Sequence, residues 1–233
     1  MEFSQLSALE IAAFAVPAVI AITTHEAAHG FVADRLGDDT ARRLGRVTFN
    51  PLRHIDPVGT ILLPTILLVS GARFLFGWAK PVPVNFRRLH SPRRDMVLVA
   101  AAGPGVNLAL AVLSAALLHL LPLFPEGTAH WIALGLEQSV MFNLMLGVFN
   151  MLPLPPLDGG RVAVGLLPNA LAIPLARLER FGFLIVLGLF ILLPMLGAKI
   201  GYHLDPFGVL IGEPLGWLLR LVVWLTGHSV EGY

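Results

Sequence analysis

Cysteine is absent from the 233 residues, which excludes a disulfide framework, a thiolate metal site and a cysteine nucleophile. Charge is scarce as well: Asp, Glu, Lys and Arg make up 13% of the chain, with a formal net charge of +1. The basic residues sit in loops beside apolar segments, a pattern that gives no footing for nucleic acid. Long repeats, low-complexity runs and Ser/Gly linkers are missing, and the Pro-rich stretches after Lys80 and Leu152 are too short to separate domains. What the chain has in excess is apolar surface. Hydrophobic residues form 56% of it and the mean hydropathy is +0.77, more than one small soluble core could bury. A spanning helix needs ~20 apolar residues, and such stretches lie at Ile11–Ala33, Met96–Leu121, Trp131–Leu152, Phe181–Leu196 and Phe207–Leu225. A shorter one, Val58–Phe76, is interrupted by Gly59, Pro64, Gly71 and Arg73.

The first apolar stretch reads as a retained helix, because the residues before it carry two Glu and no Lys or Arg, unlike a signal peptide. Arg35, Arg42, Arg43, Arg46 and Arg53 follow it; Lys80, Arg87, Arg88, Arg93 and Arg94 follow the interrupted stretch. Were Val58–Phe76 an ordinary crossing, these equally basic loops would face opposite sides, against the positive-inside bias. A re-entrant segment is therefore expected, with a short kinked crossing as the alternative. With that choice Arg73, Arg161, Arg177 and Arg180 join the two loops. Of the 16 basic residues only Lys199 and Arg220 then fall outside one face, the cytoplasmic one. The N-terminus would be extracytoplasmic.

Thr24-His25-Glu26-Ala27-Ala28-His29-Gly30 stands near the cytoplasmic end of the first helix. His25 and His29 are one turn apart on one face and can share a metal ion. Glu26, about 100° further round the helix, is placed to take a proton from water rather than to bind the metal. Zinc held by two neutral His needs a third protein ligand, preferably a carboxylate. Glu137 and Asp158 both lie near apolar segments. The prolines of Asn150-Met-Leu-Pro-Leu-Pro-Pro-Leu-Asp158-Gly-Gly-Arg161 break the helix so as to bring Asp158 toward the depth of His29, and one carboxylate suits the charge of such a cluster in a low dielectric. As an alternative, Asp158-Gly-Gly is only a helix cap and turn.

Taken together, His25-Glu-Ala-Ala-His29-Gly, Ala102-Gly-Pro-Gly-Val-Asn107 and the Asn150–Arg161 motif resemble the site-2 protease family of intramembrane zinc metallopeptidases, in the family's order. The resemblance extends to Asn50-Pro-Leu-Arg-His54-Ile-Asp56-Pro and Phe76-Gly-Trp-Ala-Lys-Pro-Val-Pro-Val, loops similar to those of compact bacterial members, and covers residues 11 to 165. It implies zinc, one ion per chain, on His25, His29 and Asp158, with Glu26 as base. It implies Asn107 and Asn150 as groups that hydrogen-bond substrate or oxyanion, their alternative being helix-to-helix contacts. His54 could assist as an electrophile, or simply pair with Asp56. The helix that precedes the His-Glu helix in many members is not found, nor is a PDZ-like insertion.

The fold expected is an all-α polytopic membrane domain over 1–233 with about five transmembrane helices, the re-entrant segment and a short β-strand or hairpin before it. The catalytic core would be about 11–165 and a C-terminal helical pair about 181–226. Arg43-Leu-Gly-Arg-Val-Thr-Phe-Asn50 is the strand candidate, since an unwound substrate could add to its edge. Glu137 and Asn143 are expected in interhelix contacts, and His90, His119, His130, His203 and His228 have no ligand spacing. The partners expected are a transmembrane substrate and the bilayer of a bacterial cytoplasmic membrane. A divalent-metal transporter built on the same His/His/Asp cluster is the rival from another class, and it predicts a file of polar residues through several helices.

Overall fold

A computed structural model describes residues 8–69, 77 and 79–228. Five helical stretches are long and apolar enough to cross a membrane: Leu9–Arg35, Pro92–Leu123, Glu126–Asn150, Asn169–Lys199 and Gly208–Thr226. The helices in chain order are α1 (Ala8–Arg35), α2 (Thr40–Arg43), α3 (Leu63–Val69), α4 (Pro92–Leu117), α5 (Glu126–Asn150), α6 (Asp158–Leu166), α7 (Asn169–Arg177), α8 (Gly182–Leu187), α9 (Leu193–Lys199) and α10 (Glu213–Thr226). No strand occurs among the described residues.

The centre is a sheaf of α1, α4 and α5. Their buried faces are rich in small residues, Ala21, Ala27, Ala33, Ala100, Ala111 and Ala115, which let helix backbones approach closely where apolar burial gives no gain over lipid. α4 starts sharply: Pro92 occupies its first turn, and the Asp95 carboxylate accepts the Ser91 N–H at 2.7 Å. α10 closes the sheaf. Val222 packs on Ala111, Ala115, Val140 and Leu144, while Ile211 packs on Val148 and Leu152.

These contacts fix relative directions. α1 and α5 run antiparallel to α4, with His29 beside Val99 and Asn143 beside Asn107. α10 runs parallel to α4, since the His119 Nε2–H donates to the Thr226 carbonyl at 2.7 Å. The chain between α6 and α10 leaves and returns at one end of the sheaf: Arg93, in the first turn of α4, bonds the carbonyls of Gly165 and Leu167 and the side chain of Asn169. Lys199, set apart by the charge pattern, thus belongs to a stretch that begins and ends on the side of the other basic loops.

One expectation changes here. Arg43–Asn50 is a turn and bend rather than a strand, because Gly45 takes a left-handed φ of 63° and the local backbone bonds are already made, Gly45 N–H to Arg42 and Arg46 N–H to Ala41. Asn50 then caps the turn Pro51–His54. The interrupted stretch opens as a π-helical turn, Pro57–Leu62, capped by Asp56 and continued by α3. Its remainder, 70–76, lies outside the described residues.

Beyond the end of α1, the fully buried Asp38 ties two loops together. Its carboxylate accepts the Thr40 hydroxyl, the Thr40 N–H at 3.1 Å and the Asn85 N–H at 2.6 Å. Burial alone would raise its pKa, but these hydrogen bonds and the nearby Arg88 outweigh it and hold the carboxyl below the usual carboxylate range.

Candidate metal centre

His25 and His29 are buried on the face of α1 that meets α4, and Asp158 opens α6 beneath them. The His25 Nε2 lies 3.1 Å from the His29 Nε2 and 3.1 Å from the Asp158 Oδ2, which is 3.3 Å from the His29 Nε2. Four ligands at ~2.0–2.1 Å from a tetrahedral zinc stand about 3.3–3.4 Å apart, so three corners of such a site are already in place. The other ring nitrogens decide the protonation. The His25 Nδ1–H donates to the Asn107 Oδ1 at 2.6 Å, and the His29 Nδ1–H to the Val99 carbonyl at 2.7 Å. Both rings are thereby held as tautomers whose Nε2 lone pairs point at one spot, the arrangement a metal requires. Among the described residues no other group of three metal-ligating side chains comes together.

Asn107 is itself fixed. Its Nδ2 donates to the Asn143 Oδ1 at 2.8 Å and to the Ala21 carbonyl at 3.3 Å, which leaves the oxygen turned to His25. Asn143 in turn donates to Ser139, whose hydroxyl meets that of Ser114 at 2.8 Å. This buried chain links α1, α4 and α5 and sets the orientation of a ligand ring.

The glycines explain how the pieces come so close. A Cβ at Gly103 would lie 2.5–2.6 Å from ring atoms of His25 and His29, and one at Gly159 would lie 2.1 Å from the Met151 carbonyl. Only glycine lets α4 pass under the two rings, and only glycine lets α6 start against the 151–156 turn that aims Asp158 upward.

Glu26 is half-buried beside the cluster, and its Oε2 accepts the Val82 N–H at 2.7 Å. The Lys80–Val82 segment that presents this donor is held by two others: the Lys80 N–H donates to the His54 carbonyl at 2.8 Å, and the buried Arg46 donates to the Lys80 carbonyl at 2.7 Å. Sequence reasoning missed Val82, Val99 and Arg46. The first two act through backbone atoms, which no side-chain pattern reveals, and Arg46 reads as one more loop cation.

The other candidates stand outside the cluster. The Asn150 Nδ2 donates to the Leu146 carbonyl within its own helix at 3.0 Å. His54 is buried with its Nε2–H on the Thr48 carbonyl at 3.0 Å, and its Nδ1 has no partner among the described residues. Asp56 serves the turn after it instead of pairing with His54. Glu137 is exposed on α5 rather than set between helices.

Comparison with known proteins agrees with this chemistry. The chain is 42% identical over 191 residues to the "Putative zinc metalloprotease YwhC" of Bacillus subtilis, covering 77% of this chain and 84% of that protein. The chain belongs to this zinc metalloprotease family. It is also 31% identical over 211 residues to a Mycobacterium tuberculosis protein named as a zinc metalloprotease of the same kind, Rip2, covering 91% of this chain and 71% of that one. The Mycolicibacterium smegmatis Rip2 is 32% identical over 176 residues, 74% of this chain and 64% of its own length. No family model and no solved structure matches. The family and the geometry of His25, His29 and Asp158 together make zinc the cofactor, and five long apolar helices make this zinc metalloprotease a membrane protein.

Proposed function

We propose that the chain is an intramembrane endopeptidase of the site-2 type, hydrolysing peptide bonds in or near transmembrane segments of other membrane proteins. One observation carries the reading: two of the three candidate ligands sit on α1, a helix long and apolar enough to cross a membrane, packed against another such helix, α4. Ionisable groups at membrane depth are costly and mark function. His25, His29 and Asp158 would hold zinc, which supplies Lewis-acid polarisation of a carbonyl and a lowered pKa for water. Glu26 is the base. Held by the Val82 N–H, its carboxylate takes a proton from the attacking water and returns it to the leaving amine. Asn107 positions His25, and Asn150, whose Nδ2 bonds within its own helix, offers its Oδ1 to a substrate backbone, whereas the His54 Nδ1 is buried away from one.

The positive-inside bias of the basic loops supports an orientation with the zinc end of α1 toward the cytoplasmic leaflet and the N-terminus outside. The same bias supports reading the interrupted stretch after Asp56 as re-entrant rather than as an ordinary crossing.

Zinc content per purified chain tests the assignment, because it needs no knowledge of the substrate. Wild type and Glu26→Gln are expected to hold about one zinc and Asp158→Ala to lose most of it, while Glu26→Gln abolishes cleavage of single-pass membrane reporters in liposomes. Retention of metal by Asp158→Ala, or cleavage surviving Glu26→Gln, would overturn the reading.

A further inference from the structure

α4 has two working faces in the same turns. At about 100° per residue, Gly103 and Asn107 point to the zinc ligands, while Ala101, Gly105 and Leu108 fall on the opposite side. There they line a groove of about 810 Å³ between α4 and α10, floored by α5. The groove is apolar except at two points. Asn143, almost fully buried at its floor, is the residue that holds Asn107. Glu213, on the rim formed by α10, has no hydrogen-bond or ion-pair partner among the described residues.

A carboxylate in a helix apolar enough to cross a membrane needs a partner that is a cation or a hydrogen-bond donor. The small residues Ala101, Gly105 and Gly147 make room for a helix backbone to come close, as interfaces between transmembrane helices do. A second copy of this chain is a poor occupant. Two-fold symmetry about the membrane normal keeps each residue at its own depth, so Glu213 would face Glu213, and Arg220 lies seven residues on, about 10 Å along the axis.

We propose that this groove is a docking site, separate from the zinc side of α4, for a transmembrane helix of a partner protein carrying a Lys or Arg at the depth of Glu213. The docked helix lies two hydrogen bonds from a zinc ligand, through Asn143 and Asn107. The inference rests on the membrane placement of α10 and not on proteolysis.

The absence of native cysteine makes the test direct. Val209, 65% exposed at the mouth of the groove and one turn before Glu213, takes the probe: Val209→Cys puts a thiol there and leaves the space beside Ala101, Gly105 and Gly147 open. The full chain carrying it is reconstituted in phosphatidylcholine vesicles with a labelled Leu/Ala transmembrane peptide bearing one Cys and, one turn away, Lys, Leu or Glu. Crosslinking through a short bismaleimide is then compared. The Lys peptide is expected to crosslink about threefold to tenfold more than the Leu peptide. Glu213→Gln should abolish that preference, and Glu213→Lys should shift it to the Glu peptide. Equal yields for the three peptides, a Lys preference that survives Glu213→Gln, chain-to-chain crosslinks in its place, or loss of the preference when phosphatidylethanolamine supplies a lipid amine would each overturn the proposal. Repeating the assay on Glu26→Gln, with zinc content as the check on folding, keeps its outcome independent of the protease reading.

Discussion

Replacing Asn107 with alanine takes away the acceptor that fixes the tautomer of His25, without touching a ligand. The Asn107 Oδ1 lies 2.6 Å from the His25 Nδ1 in a fully buried environment. The variant leaves either a buried N–H without a partner, which costs about 1–3 kcal/mol, or a ring that moves its proton to Nε2 and turns its lone pair away from the metal. Either route weakens zinc by about 5- to 150-fold, in line with the 10–100-fold typical when an outer hydrogen bond to a ligand is removed. Asn143→Ala acts one step further out, because Asn143 only orients the Asn107 amide; its expected loss is below about tenfold. The assay is competition for zinc against a chromophoric chelator on the purified chain, with His25→Ala as the full-loss reference. Zinc affinity unchanged in Asn107→Ala, or a larger loss in Asn143→Ala, would refute the argument that this chain of side chains positions His25. It would return Asn107 to a substrate-binding role.

Two further expectations follow from the packing around Gly103 and Asp38. Gly103→Ala puts a methyl 2.5–2.6 Å from both His rings, so the rings or α4 must shift, and zinc content should fall well below that of wild type while Gly105→Ala, which meets nothing, keeps it; equal zinc in both would break this account of the glycine. Asp38 has a folded pKa held below its unfolded one, so its contribution is present above the unfolded value of about 3.9 and is lost as pH falls through the folded value. Asp38→Asn should therefore lower the Tm at pH 7, by an amount equivalent to about 1.5–3 kcal/mol, and the gap to wild type should narrow on acidification; a gap independent of pH would show that the charge is not what stabilises the loops.

Legibility in the sequence followed the physical carrier of each feature. The His25–His29 pair and the five apolar stretches were visible because helical period and hydropathy are properties of the chain itself. Asp158 was visible through the prolines that interrupt its helix. The strand expected at Arg43–Asn50 rested on a substrate's need for an edge to pair with, and Gly45, whose left-handed turn ends any extended pairing, does not allow it. Val82 and Val99 act through a backbone N–H and a carbonyl, so no residue type could have marked them. The direction of α10 relative to α4 was equally hidden, because the contact of His119 with Thr226 that fixes it is tertiary.

The buried chain from His25 through Asn107, Asn143 and Ser139 to Ser114 also bears on the rival reading as a metal transporter, which requires a polar file leading away from the His/His/Asp cluster. Such a file exists, but its chemistry is wrong for a cation. It holds amides and hydroxyls and no carboxylate. Each side chain in it has a protein partner: Asn107 gives both amide ends to protein, Asn143 accepts from Asn107 and donates to Ser139, and the two hydroxyls bond each other. A zinc ion moving along it would have to break these bonds and replace imidazole and carboxylate ligands with neutral oxygens, which hold zinc poorly. The chain instead satisfies buried donors and acceptors mutually, as a network that rigidifies a core does. Vesicles containing the purified protein and an internal zinc dye should accordingly show zinc entry no faster than protein-free vesicles, and Ser139→Ala with Ser114→Ala should leave that rate unchanged. Zinc flux above the protein-free rate that is lost in the double serine variant would overturn this reasoning and make the cluster a transit site.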